Sequence, residues 1–65
     1  MKVIKVGNGY VTNVELSCGK IATIDIDIDK QPVTFTPEDA NVIKKKLEEY
    51  YKNKNIKIEI EINDF

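Results

Sequence analysis

The sequence predicts an α+β domain in which a single helix covers one face of a four-stranded antiparallel or mixed sheet. Two stretches, residues 24–29 and 56–62, alternate Ile with charged residues at period two, which is typical of strands with one buried side. Between them, residues 36–52 space their apolar side chains by three and four, as in an amphipathic helix. With two β-branched stretches near the N-terminus the order is β-β-β-α-β, and we expect a single α+β domain over residues 1–65.

The composition excludes several functional classes. Hydrophobic residues make up 42% of the chain and charged residues 32%, which is too apolar for a disordered segment and too interrupted by charge for a membrane span. Ten Lys and Arg against eleven Asp and Glu leave a net charge of -1, so no global field attracts nucleic acid or anionic lipid. His is absent and Cys18 is the only cysteine, which rules out disulfides, Cys/His zinc sites and His-based catalysis within one chain. We therefore expect a non-enzymatic protein with no cofactor, no metal, no direct nucleic-acid binding and no membrane association.

The first part of the chain predicts three strands joined by two tight turns. Residues 3–6 form the first strand, and Gly7-Asn8-Gly9 supplies the positive φ angles of a hairpin. Residues 10–16 form the second strand, and the small polar cluster 17–20 predicts the next turn. Alternation places four side chains of the second strand on one side, Tyr10, Thr12, Val14 and Leu16, and three on a wetter side, Val11, Asn13 and Glu15.

The third strand, residues 21–29, carries the clearest signal. Its alternation directs three side chains to the core, Ile24, Ile26 and Ile28, and three to the opposite face, Asp25, Asp27 and Asp29. Pro32 ends the strand because it has no N–H for the ladder.

The helix has strong start signals. Thr36 is the expected N-cap, Pro37 occupies the first helical position, and two acidic residues follow in the first turn. The apolar stripe consists of Ala40, Ile43, Leu47, Tyr50 and Tyr51. Residues 53–55 predict the exit, where Asn tolerates a left-handed cap.

Residues 56–62 predict the last strand. A right-handed return through the helix places this strand parallel to the first, in the order 4-1-2-3, and pairing beside the third strand is the alternative.

The residues that could carry chemistry favour a structural interpretation. The Asp spacing at 25, 27 and 29 matches the start of a Ca²⁺ loop, but such a loop needs Gly where Lys30 stands and Glu where Thr36 stands. Cys18 has no His to form its thiolate. The run Lys44–Lys46 pairs with acids one turn on, as a solvated helix face does.

The remaining feature is an acidic sheet face opposite the Ile core. We expect it to bind a Lys-rich partner through five carboxylates, Asp25, Asp27, Asp29, Glu59 and Glu61. Two alternatives stay open: the acids only keep the face soluble, or the helix face around Lys44 and Tyr51 is the binding surface.

Residues 2–11, KVIKVGNGYV, and residues 35–40, FTPEDA, before a short Lys-rich helix resemble small orphan proteins of phages and prophages from low-GC Gram-positive bacteria. The resemblance implies an inhibitor of host defence, of which anti-CRISPR proteins are one type, that binds a host defence protein or complex without catalysis. A small self-assembling phage accessory or structural protein is the alternative. An enzyme or small-ligand binder is a third class, and the residue inventory argues against it.

Two further expectations concern location and assembly. The N-terminus lacks the apolar core of a secretory signal, so the cytoplasm of the bacterial host is the expected compartment. A domain this small has little core, and either edge strand, the third or the last, offers an unpaired ladder to a second copy. We therefore expect a homodimer.

Overall fold

A computed structural model describes all 65 residues and contains four strands and one helix. The elements are β1 (Lys2–Val6), β2 (Gly9–Ser17), β3 (Lys20–Asp27), α1 (Pro37–Asn53) and β4 (Ile60–Asp64). The strands form one sheet in the order β3-β2-β1-β4, and every neighbouring pair is antiparallel. The predicted fold class and the strand order 4-1-2-3 are confirmed.

The direction of β4 differs from the prediction, since β4 runs antiparallel to β1 and not parallel to it. The chain after β3 returns to the start of β1, where Phe35 and Lys2 exchange backbone hydrogen bonds of 2.7 and 2.8 Å. Helix α1 therefore begins beside the first residue of β1. Its far end leads into Ile60, which pairs with Val6 at the last residue of β1, so β4 must run back against β1.

The two hairpin turns have different backbone conformations. Gly7 has φ 60° while Asn8 stays outside the left-handed region, as in a type II′ turn. Cys18 and Gly19 have φ values of 53° and 76°, as in a type I′ turn. Cys18 thus occupies a conformation that favours Gly or Asn, at the exposed tip of the β2–β3 hairpin.

The β1–β2 ladder is short, because the two strands pair at only two positions, beside the turn that joins them. Residues 33–35 lie in the gap that opens between them, with the Val33 N–H donating to the Val11 carbonyl at 3.0 Å. Register shifts in the β2–β3 ladder leave Thr12 and Ala22 as extra residues, and such bulges increase bending and twist. The β2–β3 hairpin tip contacts the helix, where Lys46 Nζ donates to the Gly19 carbonyl.

The first bulge overturns the predicted faces of β2. Because Thr12 is the extra residue, Val11 and Val14 both point toward the helix, and Val11 is 0% exposed. Tyr10 pairs with Lys5 and lies on the opposite side, away from the core that the alternation predicted for it. Leu16 is 47% exposed, so its predicted place in the core is also wrong.

The core lies between the sheet and the helix. Its seven buried members are Ile4, Val6, Val11, Ile21, Ala40, Ile43 and Leu47. The predicted helix stripe is confirmed, with Tyr50 and Tyr51 packed at the margin. Ile24 packs against this cluster, but Ile26 and Ile28 are 36% and 70% exposed, because β3 is an edge strand whose ladder ends at Asp27.

Both helix ends are capped as predicted. The Thr36 hydroxyl accepts the Asp39 N–H at 3.1 Å, and Pro37 is the first helical residue. At the other end Asn55 has φ 58°, its N–H donates to Lys52, and the Ile56 N–H donates to the Tyr51 carbonyl. These two bonds form a Schellman motif, which fixes the direction of the chain at Ile56.

The last strand begins later than the sequence predicts. The alternation covers residues 56–62, whereas β4 covers Ile60–Asp64. The cause is the length of its neighbour: β1 ends at Val6 opposite Ile60, and one further bond, from the Gly7 N–H to the Glu59 carbonyl, extends the ladder. Residues 56–58 have a strand pattern but no strand beside them.

Candidate functional site

The uncovered sheet face is the side of the sheet opposite α1. A row of four side chains crosses it at adjacent register positions, in the order Asp27, Tyr10, Lys5 and Glu61. Opposite residues in antiparallel strands project to the same face, so the row runs from one edge of the sheet to the other. It places a tyrosine and a lysine in the middle and a carboxylate at each edge.

The five predicted partner-binding carboxylates do not form one patch. Asp25 and Asp27 lie on edge strand β3, and Glu61 lies on the opposite edge strand, three strand spacings or about 14 Å away. Asp29 is in the turn after β3, and Glu59 immediately precedes β4. The face therefore has two acidic margins, with Lys5 and Tyr10 between them.

Asp27 has a structural role that the sequence did not reveal. Its carboxylate accepts the backbone N–H groups of Asp29 at 2.7 Å and Lys30 at 3.3 Å, an Asx-type turn that ends β3. The bond from Asp29 is the main reason that the pKa of Asp27 lies below its usual value, and Lys30 lowers it further. Asp27 is thus engaged by its own turn, whereas Asp25, the other acid of β3, is not.

Asp25 is the more available carboxylate of this margin. It is exposed, and its carboxylate accepts one hydrogen bond, from Asn13 Nδ2 on the paired strand at 3.3 Å. A shallow polar depression lies beside it, lined among others by Thr12, Lys30 and Gln31. This depression presents amide, hydroxyl and ammonium groups next to the carboxylate.

The sequence interpretation missed Tyr10 as a part of this face, whereas the outward positions of Lys5 and Asn13 agree with the alternation. Strict alternation placed Tyr10 on the core side, because nothing in the sequence marks Thr12 as a bulge. Once the bulge is known, Asn13 pairs with Asp25 and Tyr10 pairs with Asp27. The strongest available signal was the polar character of Asn13, which agreed with its position on the outer face.

The remaining polar contacts lie away from this face. Lys2 and Asp64, paired at the end of β4, form the one salt bridge, and Lys2 lowers the pKa of Asp64. On the helix side Lys54 Nζ lies 4.9 Å from the centre of the Tyr50 ring. Together with the bond from Lys46 to Gly19, this contact shows that part of the helix charge serves the fold.

The geometry does not bring three acidic or thiol groups close enough to hold a metal ion. No helix of the structure has the length and apolar character needed to cross a membrane. Comparison with protein-family models, curated protein sequences and solved structures finds no match to this chain.

Proposed function

We propose that this protein is a non-catalytic binding module whose uncovered sheet face contacts a Lys-rich surface of a partner protein. The observation that carries the proposal is the cross-strand row, in which Tyr10 lies centrally and carboxylates occupy both margins. Tyr offers a large, partly polar contact area and is common among the residues that dominate interfaces. Carboxylates around it steer a basic partner and fix its orientation.

The charges near β3 support this assignment. Glu15 on β2 and Asp25 on β3 are exposed, and neither takes part in a salt bridge. Lys5, the cation of the central row, lies two strands from Asp25. Lys20 and Lys30 lie nearer and offset part of the charge, but they stand against four acids, Glu15, Asp25, Asp27 and Asp29, so the local potential stays negative.

The resemblance to phage and prophage proteins supports a narrower form of the proposal. The partner is then a bacterial defence protein or complex in the host cytoplasm, and the protein inhibits it by occupying a surface. The alternative function is a self-assembling phage accessory or structural protein. A different observation favours it: residues 56–58 have a strand pattern but no strand beside them.

A capture experiment with two matched charge reversals tests the proposal. Asp25→Lys changes the uncovered sheet face, and Glu49→Lys makes the same charge change at an exposed helix position. Wild type and Glu49→Lys should retain the same nuclease or helicase subunit from a low-GC Gram-positive lysate, and Asp25→Lys should lose most of it. Retention should also fall as salt rises.

Two results would count against this function. Equal retention by Asp25→Lys and wild type would show that the uncovered sheet face is not the binding surface. Capture of this chain alone would favour the self-assembling alternative.

A further inference from the structure

The edge segment, residues 56–62, combines a complete strand pattern with an incomplete set of neighbours. Ile60 and Ile62 pack against the core, but Ile56 and Ile58 are 46% and 39% exposed. Only nine of the 65 residues are buried, so the core is small. The exposed side chains of two of the four Ile residues in this segment are therefore a considerable apolar area that the single chain does not bury.

The unpaired part of the edge segment is held at both ends. Ile56 is fixed by its hydrogen bond to Tyr51 at the helix C-terminus, and Glu59 is fixed by its bond from Gly7. The Ile58 side chain lies against Gly7, close enough that a Cβ there would sit 3.3 Å from Ile58 Cδ1. The segment is therefore positioned before any partner arrives, which lowers the entropic cost of pairing.

The free edge of the segment presents alternate backbone groups. The Glu59 carbonyl accepts the Gly7 N–H, and the Phe65 N–H donates to the Met1 carbonyl. The register between these two bonds is continuous, so the backbone N–H and C=O groups of the odd-numbered residues point toward β1. The N–H and C=O groups of Ile60 and Ile62 then face away from the sheet. No backbone bond outside the ladders satisfies them.

We propose that this edge pairs with the same edge of a second copy of the chain, antiparallel, with Glu59 on the two-fold axis. Ile60 then lies opposite Ile58 of the second copy and Ile62 opposite Ile56, and each pair occurs twice. Glu61 lies opposite Lys57 of the second copy, also twice. The result is an eight-stranded sheet in a closed dimer, with both helices on the same side.

Charge complementarity and the pairing of Ile residues together select this register. Moving the axis to Ile60 would set Glu61 against Glu59 of the second copy twice, and like charges in opposite positions are destabilising. Moving it to Ile58 keeps two Lys–Glu pairs, between Lys57 and Glu59, but leaves Ile62 without an Ile partner. The chosen register alone pairs all four Ile residues, at the cost of one Glu59–Glu59 contact on the axis.

An apolar groove on the helix side of this edge fits the added strand. Tyr51 of α1 and three residues of the edge segment, Ile56, Ile58 and Ile60, form its apolar lining. Glu48 and Lys52 stand at its rim with opposite charges. The Ile side chains of the second copy would enter this groove and bury the part of the edge segment that one chain leaves exposed.

A charge-swap series followed by sedimentation equilibrium tests the pairing. Wild type should show twice the 7.4 kDa mass of one chain at high concentration. Lys57→Glu and Glu61→Lys should each raise the dimer dissociation constant by about tenfold or more, because each turns two attractive pairs into repulsive ones. The double variant restores opposite charges and should recover most of the affinity, while Lys45→Glu, an exposed helix control, should leave the affinity unchanged.

The register has its own test in Glu59→Gln. This change removes the like-charge contact on the axis and should tighten the dimer, whereas an axis at Ile58 would make the same change weaken it. A mass of one chain at every concentration would overturn the proposal. So would a dimer that ignores both single reversals, or one that the double variant fails to recover in a chain with wild-type circular dichroism.

Discussion

The two edges of the sheet have nearly the same sequence pattern and different structural outcomes. On β3, Ile alternates with Asp, and on the segment leading into β4, Ile alternates with Lys and Glu. The chain closes the β3 margin itself: Ile26 lies over Gly9, Asp27 caps the following turn, and Lys46 holds the hairpin tip. The β4 margin is fixed in position but keeps an open groove and exposed Ile56 and Ile58.

The difference teaches that the alternation of apolar and charged residues specifies which side chains face the core, and not how many strands pair beside a segment. Asp25 and Asp27 have no lysine between them, so two β3 edges that met around these residues would bring carboxylates together. The β4 edge carries Lys57 two positions before Glu59 and four before Glu61, so it can oppose charges in a second copy. One edge is protected from pairing, and the other is suited to it.

The largest expected effect comes from the core that supports both edges. Leu47 is fully buried in the core between the sheet and the helix. Leu47→Ala would leave a cavity there and should lower the free energy of unfolding by about 2 to 5 kcal/mol. Val42→Ala, at a half-exposed position of the same helix, should change it by no more than about 0.5 kcal/mol. Urea unfolding at low protein concentration measures both, and a nearly neutral Leu47→Ala would contradict the packing described.

A change at Gly9 should affect the β3 margin selectively. A Cβ at this position would lie 2.6 Å from Ile26 Cγ2, so Gly9→Ala should cost about 1 to 3 kcal/mol through overpacking. Adding Ile26→Ala removes the opposing methyl, and the double variant should lose less stability than the sum of the single variants. Strict additivity in urea unfolding would show that Ile26 does not hold this margin.

The smallest expected effect distinguishes the two edges by pH and salt. The pKa values of Asp27 and Asp64 are both lowered in the fold, so their stabilising contributions are present at neutral pH. They are lost as pH falls below about 4 and through the lowered values. Asp27→Asn and Asp64→Asn should each flatten the acid side of the stability profile measured by thermal unfolding.

Salt separates the two contributions. The Asp64 carboxylate is held by Lys2, so its contribution should shrink as ionic strength rises. The Asp27 carboxylate is held first by the backbone N–H of Asp29, so its contribution should persist in high salt. Equal salt sensitivity of the two profiles would contradict these assignments.

The sequence predicted the fold class because each element carries a local signal. Thr36 and Pro37 mark the helix start, Asn55 marks its end, and the Gly residues mark the hairpins. The faces of β2 could not be predicted, since the bulge at Thr12 is a property of the β2–β3 register and no residue type marks it. The direction of β4 depended on residues 33–35, which pair beside β1 without a sequence signal of their own.

The candidate site was predictable only in part. Alternation correctly placed Asp25 and Asp27 on the side away from the core, but sequence distance says nothing about the two strands that separate them from Glu61. The turn role of Asp27 needs the backbone path after β3, which no residue type specifies. Tyr10 and Lys5 meet in one row because two ladders share a register, a property of the whole sheet.

Hydrogen exchange at single amides tests most directly whether the edge segment exists to pair with a second copy. In the monomer, at low concentration, the N–H groups of Glu61 and Asn63 should be protected by β1, while those of Ile58, Ile60 and Ile62 exchange rapidly. As concentration rises, protection should appear at Ile58, Ile60 and Ile62 together, and it should disappear again in Glu61→Lys. Exchange at these three amides that stays rapid at every concentration, or protection that appears at β3 instead, would contradict the account.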